Sequence, residues 1–167
     1  MKKIMIVGSG GAGKSTLAKQ LGEKLDIPVY HLDAIFWQPG WRPIERQALV
    51  QAQQHIINRD TWIIDGNYSS TMDIRLKHAD TVIFLHYSTI RCLYGIVKRR
   101  IQYHKKTRPD IGKDCPEKLD LEFVQWVYQF NKSKAPIIHQ KLNQQRDTTI
   151  HIFNRPKQTK NFLKNVN

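Results

Sequence analysis

Near the amino terminus, Gly8-Ser9-Gly10-Gly11-Ala12-Gly13-Lys14-Ser15-Thr16 has the composition and order needed to hold a polyphosphate. Glycine lets backbone N–H groups turn toward phosphate oxygens, and a side chain at Gly8, Gly10, Gly11 or Gly13 would obstruct the dihedrals or the approach. The spacing is G-x-x-x-x-G-K-[ST], the Walker A pattern, in which Lys14 reaches the β- and γ-phosphates and the Ser15 hydroxyl ligates Mg2+. The same letters contain Gly8-x-Gly10-x-x-Gly13, a dinucleotide fingerprint, and Asp33 follows where a ribose-binding acid belongs. A dinucleotide site gives no reason for Lys-Ser directly after the last glycine, because the helix start already serves its pyrophosphate. A triphosphate with its metal needs both residues. The loop therefore predicts ATP and Mg2+ as cofactors, with every residue from Gly8 to Thr16 at the nucleotide.

Phosphoryl transfer also requires a metal anchor, positive charge over the moving group and a means of placing the acceptor. Asp65 closes the apolar run Trp62-Ile63-Ile64 and predicts the anchor, holding a water on the Mg2+ that Ser15 binds. Asp33 closes Pro28-Val29-Tyr30-His31-Leu32. It either takes a proton from an acceptor hydroxyl or positions a phosphate acceptor or the metal waters. Arg99, Arg100 and Arg108 flank and enter the aperiodic segment 104–118. They predict transition-state charge stabilisation under a mobile lid that excludes water, against the blander reading of a solvated basic face. Lys132 and Lys134 follow the helix returning from that segment and could help.

These residues must be carried by elements that bring them together. Ile4 to Val7 reads as a strand entering the glycine loop, and Leu17, Ala18 and Leu21 continue with helical spacing. Further strands are predicted at 28–32, 62–64, 81–86 and 148–153. Helices are expected from Pro43 to about Asn58, from Ser70 to His78, and along Ile90, Leu93, Tyr94, Val97 and Ile101. Another opens at Pro116, with Leu119, Phe123, Trp126, Val127 and Phe130 on its buried face, and a terminal helix follows Pro156. Strands alternating with helices imply an α/β fold with a parallel sheet, whose ligands gather at the carboxyl ends of the strands. Gly8, Asp33, Asp65, His86 and Arg155 all lie at or past such ends and are expected in one crevice. The aromatic stretch from Phe36 through Trp37 to Trp41 either caps a small core or walls an acceptor pocket.

Composition sets the bounds. The 167 residues, 40% hydrophobic, predict one domain across 1–167 with a core of its own. Two cysteines, Cys92 and Cys115, are too few and too far apart for a disulfide framework or metal knuckle and read as free thiols. No membrane span or cleavable signal pattern is present, so the expected location is cytoplasmic. The net charge of +13 favours anionic ligands, and no acid stands between Asp80 and Asp110.

The glycine loop, the strand-end Asp33, the strand running into Asp65-Gly66 and the arginine-bracketed lid resemble the adenylate kinase-related branch of P-loop kinases. The stretches 27–33, 37–41, Asp65-Gly66-Asn67-Tyr68 and 115–123 are similar in particular to bacterial DNA topology modulation proteins. This resemblance implies a P-loop NTPase three-layer sandwich with a five-stranded parallel sheet and a small lid between the last two strands. It also implies that Arg155 borders the adenine and that Arg99 and Arg100 stand as lid arginines. The expected activity is ATP- and Mg2+-dependent phosphotransfer to a nucleotide or small-molecule phosphoryl acceptor. The alternative is an ATP-binding, nucleic-acid-associated regulatory protein; with no sequence-reading motif, its nucleic-acid binding would be weak and non-specific.

Overall fold

The computed structural model describes residues 1–166. Its main sheet has five parallel strands: β1 (Lys3–Gly8), β2 (Val29–His31), β5 (Trp62–Asp65), β6 (Thr81–Leu85) and β7 (Thr149–Phe153), in the order β2-β5-β1-β6-β7. The strand that feeds the glycine loop is therefore central, with β5 and β6 as immediate neighbours. A central parallel strand is covered on both faces and must be apolar throughout. Ile4, Met5, Ile6 and Val7 are accordingly all fully buried. Alternation sends Met5 and Val7 into a cluster with Ile56, Ile57, Trp62 and Phe130, while Ile4 and Ile6 join Leu17, Leu21, Cys92 and Ile96 on the other face. Helices α3 (Arg46–Ile57), α4 (Met72–Leu76), α6 (Leu121–Ser133) and α7 (Ala135–Asn143) supply the first cluster; α1 (Lys14–Leu25) and α5 (Thr89–Gln102) supply the second, which α8 (Pro156–Asn165) and its cap residue Val166 join. Each fully buried Leu, Ile or Phe side chain in these layers contributes about 1.5–3 kcal/mol of apolar transfer.

Local chemistry moves several predicted boundaries. Asp33 does not end a strand but lies in the first turn of a short helix, α2 (Leu32–Phe36). Pro43 belongs to a two-residue hairpin, β3 (Trp37–Gln38) with β4 (Arg42–Pro43), so α3 begins only at Arg46. The expected 70–78 helix is a 3-10 turn, Ser69–Thr71, followed by α4. The helix expected from Pro116 starts five residues later, because the Asp120 side chain accepts from the Phe123 N–H and caps it there. The helix expected along Ile90, Leu93, Tyr94, Val97 and Ile101 is α5 (Thr89–Gln102), but most of that apolar stripe is not its packed face. Ile90, Tyr94, Val97 and Ile101 face solvent, and the side that packs is the one carrying Cys92 and Ile96. Close approach selects that side: Gly11 (φ 75°) and Gly95 interlock, and a Cβ on either would collide with backbone, of Cys92 or of Gly11 respectively.

Segment 104–118 carries only isolated bridges, His104 with Glu117 and Thr107 with Pro116. It is nonetheless tied to the hairpin. The Gly40 N–H donates to the Asp114 carbonyl at 3.0 Å, the Trp41 indole N–H donates to the Pro116 carbonyl at 3.1 Å, and Cys115 Sγ donates to the Gln38 carbonyl at 3.3 Å. Both cysteines are free and buried.

Asp80 fixes the start of the sheet. Its carboxylate accepts from the backbone N–H groups of Lys2 (2.7 Å) and Lys3 (3.0 Å) and from the Thr81 hydroxyl (2.7 Å). Partial burial works against ionisation, but these three donors outweigh it and hold the carboxyl below its ordinary pKa. A depressed carboxylate stabilises the fold above its unfolded pKa, about 3.9, and loses that contribution as pH falls through the folded value. Urea unfolding of Asp80→Asn is therefore expected to show a deficit at pH 7 that closes below pH ~4. A deficit unchanged at acid pH would deny the carboxylate this role.

Candidate active site

The carboxyl ends of β1 and β5, the start of α2, the hairpin and the 104–118 segment enclose a cavity of about 510 Å3. Gly10, Lys14 and Ser15 line it together with Asp33, Asp65, Arg99 and Arg108. Lys14 Nζ donates to the Ser9 carbonyl at 3.0 Å. Burial pulls its ammonium below the ordinary lysine value, with the charges of Asp65 and Asp33 pulling the other way.

Each carboxylate is oriented by a neighbour that the sequence reading did not single out for that task. His31 Nδ1 lies 2.8 Å from Asp65 Oδ1, the two residues being register partners on adjacent strands. Burial lowers the imidazole's proton affinity, but the hydrogen bond and charge of Asp65 more than offset it, and the net shift is upward. The Tyr68 hydroxyl donates to Asp33 Oδ1 at 2.8 Å. Burial first, then the Asp33 charge, drives this phenol far above its ordinary pKa, so it stays a donor.

The loop after β5 is held from both sides. Asn67 Nδ2 donates to the Gly8 carbonyl at 2.7 Å and its Oδ1 accepts from the Gly8 N–H at 3.0 Å, locking the loop to the exit of β1. From below, the fully buried Arg75 donates to the carbonyls of Gly66 (2.7 Å) and Asn67 (2.6 Å). Burial draws that guanidinium down to about 9, leaving it charged at neutral pH.

The lid arginines share one buried acid. Arg99 Nε donates to Glu117 Oε1 at 2.8 Å, Arg108 Nε stands 2.6 Å from Glu117 Oε2, and Arg108 Nη1 donates to Asp110 at 2.7 Å. Burial and the neighbouring Arg108 charge lower the proton affinity of Arg99, while Glu117 opposes them. Glu117 thus neutralises part of a like-charge pair and keeps both guanidinium groups beside the cavity. Nothing in the sequence marked it out for this pairing, because both arginines lie well before it in the chain and meet it only on folding.

Phe36, Trp37, Trp41 and Tyr68 also line the cavity, joined by Phe123 and Trp126 of α6. Their edge-to-face contacts, such as Trp37 with Trp41 at 5.4 Å between centroids, make a rigid aromatic wall. Other predicted residues lie elsewhere. Arg100 is half-buried on the outer side of α5, 2.6 Å from His104 Nδ1, and does not line the cavity. Arg155 is exposed at the cap of α8, also outside it. His86 stacks on Phe84 and contacts His139 at 3.3 Å, so the crevice gathers Asp33, Asp65 and, from the glycine loop, Gly10, Lys14 and Ser15, but not His86, Gly8, Ser9, Gly11, Ala12 or Gly13. Thr16, Lys132 and Lys134 are likewise not among the lining residues.

A Mg2+ ion fits this donor set. Ser15 and Asp65 offer two hard oxygens, and no group of three or more His, Cys, Asp or Glu placed to hold a metal ion by themselves occurs among the described residues. Mg2+ habitually takes one or two protein oxygens and completes its shell with water and phosphate.

A parallel sheet in this strand order, with a glycine loop leaving its central strand, defines the P-loop α/β class. No family model and no curated protein matches the chain. Solved structures do: a shikimate kinase from Acinetobacter baumannii in complex with shikimate matches with TM-score 0.66 at 15% identity, covering 98% of this chain and 89% of that one. A shikimate kinase from Bacteroides thetaiotaomicron matches with TM-score 0.55 at 18% identity, covering 96% and 93%. At such identities the likeness is one of fold, that of P-loop kinases. No helix among the described residues is long and apolar enough to cross a membrane.

Proposed function

We propose that the chain is an ATP- and Mg2+-dependent phosphotransferase acting on a nucleotide or a small metabolite. The observation that carries this reading is that Lys14, Ser15, Asp33 and Asp65 line one cavity, with Arg99 and Arg108 beside it. The glycine loop binds the triphosphate through backbone N–H groups, and Lys14 exchanges its Ser9 carbonyl for phosphate oxygens. Ser15 and Asp65 would hold the Mg2+, which would supply positive charge against the phosphates. Where the acceptor is an alcohol, its proton passes to the Asp33 oxygen that Tyr68 leaves free. The acceptor oxygen then bonds to the γ-phosphorus as the β–γ bridge breaks and ADP leaves. Arg99 and Arg108, held by Glu117, face the charge on the phosphoryl group, and the lid keeps water out. The fold shared with shikimate kinases favours a small hydroxylated acceptor; the six rings along the cavity favour one with a flat or apolar face. Arg155 remains a proposed adenine neighbour on resemblance alone. The nucleic-acid alternative draws on the net charge of +13.

ADP release should be measured against nucleosides, nucleoside monophosphates, hydroxy acids and polyols. One acceptor class is expected to raise turnover at least ~100-fold over ATP with water, the scale of positioning plus acid–base catalysis. With an alcohol acceptor, Asp33→Asn is expected to remove that stimulation and leave nucleotide affinity intact. A panel in which no class stimulates would count against a kinase.

A further inference from the structure

The proposed chemistry leaves the outer face of α5 unused. Ile90 is 82% exposed, Tyr94 60%, Val97 47% and Ile101 74%. Their 4-3-4 spacing is the seam of two heptads, with Ile90 and Val97 at d and Tyr94 and Ile101 at a. The opposite side already packs the helix, since Cys92 and Ile96 are buried against the glycine loop and Arg99 turns to the cavity. Folding therefore accounts for one face of α5 and gives no reason for a second apolar one.

The flanks identify what the seam accepts. The e positions are Arg91 and Lys98, both exposed, and the g positions are Leu93 and Arg100. The Arg91 guanidinium lies over the Tyr94 ring at 5.4 Å, directly along the stripe. No acid occurs between Asp80 and Asp110 to balance them. We propose that this face docks an amphipathic helix of another protein whose apolar seam is bordered by acidic residues. Charge disfavours a second copy: antiparallel pairing brings Arg91 of one chain to Lys98 of the other, and any pairing of two such faces sets two cationic flanks side by side with no acid between them. Residues at e and g decide coiled-coil partner choice, and like charges there are repulsive.

The probe is a synthetic three-heptad peptide with Leu and Ile at a and d and Glu at e and g, compared with a peptide carrying Lys at e and g. Binding to the intact chain is read by fluorescence anisotropy. The Glu peptide is expected to bind at least about tenfold more tightly than the Lys peptide and to weaken with salt. Ile90→Ser with Ile101→Ser should lower that affinity about tenfold or more at unchanged melting temperature. Arg91→Glu with Lys98→Glu, both on exposed positions, should reverse the peptide preference. Equal binding of both peptides, or of neither, overturns the proposal. So does a dimer in sedimentation equilibrium that Ile90→Ser with Ile101→Ser dissociates, which gives the face to a second copy. Co-sedimentation with phosphatidylglycerol vesicles, abolished by the same pair, overturns it in favour of a membrane surface.

Discussion

Lys14→Ala is expected to lower phosphotransfer at least ~100-fold, about 3 kcal/mol of transition-state stabilisation, the scale of removing one preorganised charge donor. The same change is not expected to weaken the fold. Burial, opposed by Asp65 and Asp33, depresses the Lys14 pKa, so the charged ammonium is less at ease in the folded protein than in the unfolded chain. For a base with a lowered folded pKa, stability is reduced at low pH and recovers as pH rises through the folded value. Removing the ammonium therefore leaves nucleotide-free stability at pH 7 equal or higher. Thermal unfolding without nucleotide, together with ATP affinity and kcat, separates these effects. Turnover unchanged by the substitution refutes the assigned mechanism; a large fall in melting temperature refutes the account of Lys14 as a strained, functional cation.

Arg75→Met is expected to do the reverse, costing about 3–4 kcal/mol of stability while touching no atom of the nucleotide loop. Methionine fills much of the volume, but two strong acceptors, the Gly66 and Asn67 carbonyls, lose charge-assisted donors. Arg75→Lys should not rescue, because a single ammonium lacks the planar fork that reaches both oxygens. Urea midpoints with an unchanged m-value give the measurement. The released loop carries Asn67, which holds Gly8, and Tyr68, which holds Asp33, so acceptor KM should rise more than nucleotide KM. A variant within about 0.5 kcal/mol of wild type would show that Arg75 is dispensable.

The two residues differ in how visible they are from sequence. Lys14 follows a glycine loop whose spacing assigns it a role before any fold is known. Arg75 sits in a polar stretch and carries no motif; only burial beneath the 66–68 carbonyls makes it a clamp. Glu117 is the same kind of residue, since its two arginine partners are 18 and nine positions away in the chain.

Sequence alone determined the strand–loop–helix at the amino terminus, the parallel α/β class and the candidate residues Lys14, Ser15, Asp33 and Asp65. Those features are local: backbone conformation, helix starts and apolar runs depend on neighbours within a few residues. Tertiary structure decided which arginines reach the cavity, retaining Arg99 and Arg108 and leaving Arg100 and Arg155 outside. It also decided which face of α5 is buried. Periodicity marks an apolar stripe but does not say which way it points, and the Gly11–Gly95 contact settled that by allowing close approach on one side only. The glycine loop could be read early because its ligand is held by backbone. The aromatic lining of the cavity and the outer stripe of α5 depend on side chains brought together from distant segments, and become legible only when the chain is folded.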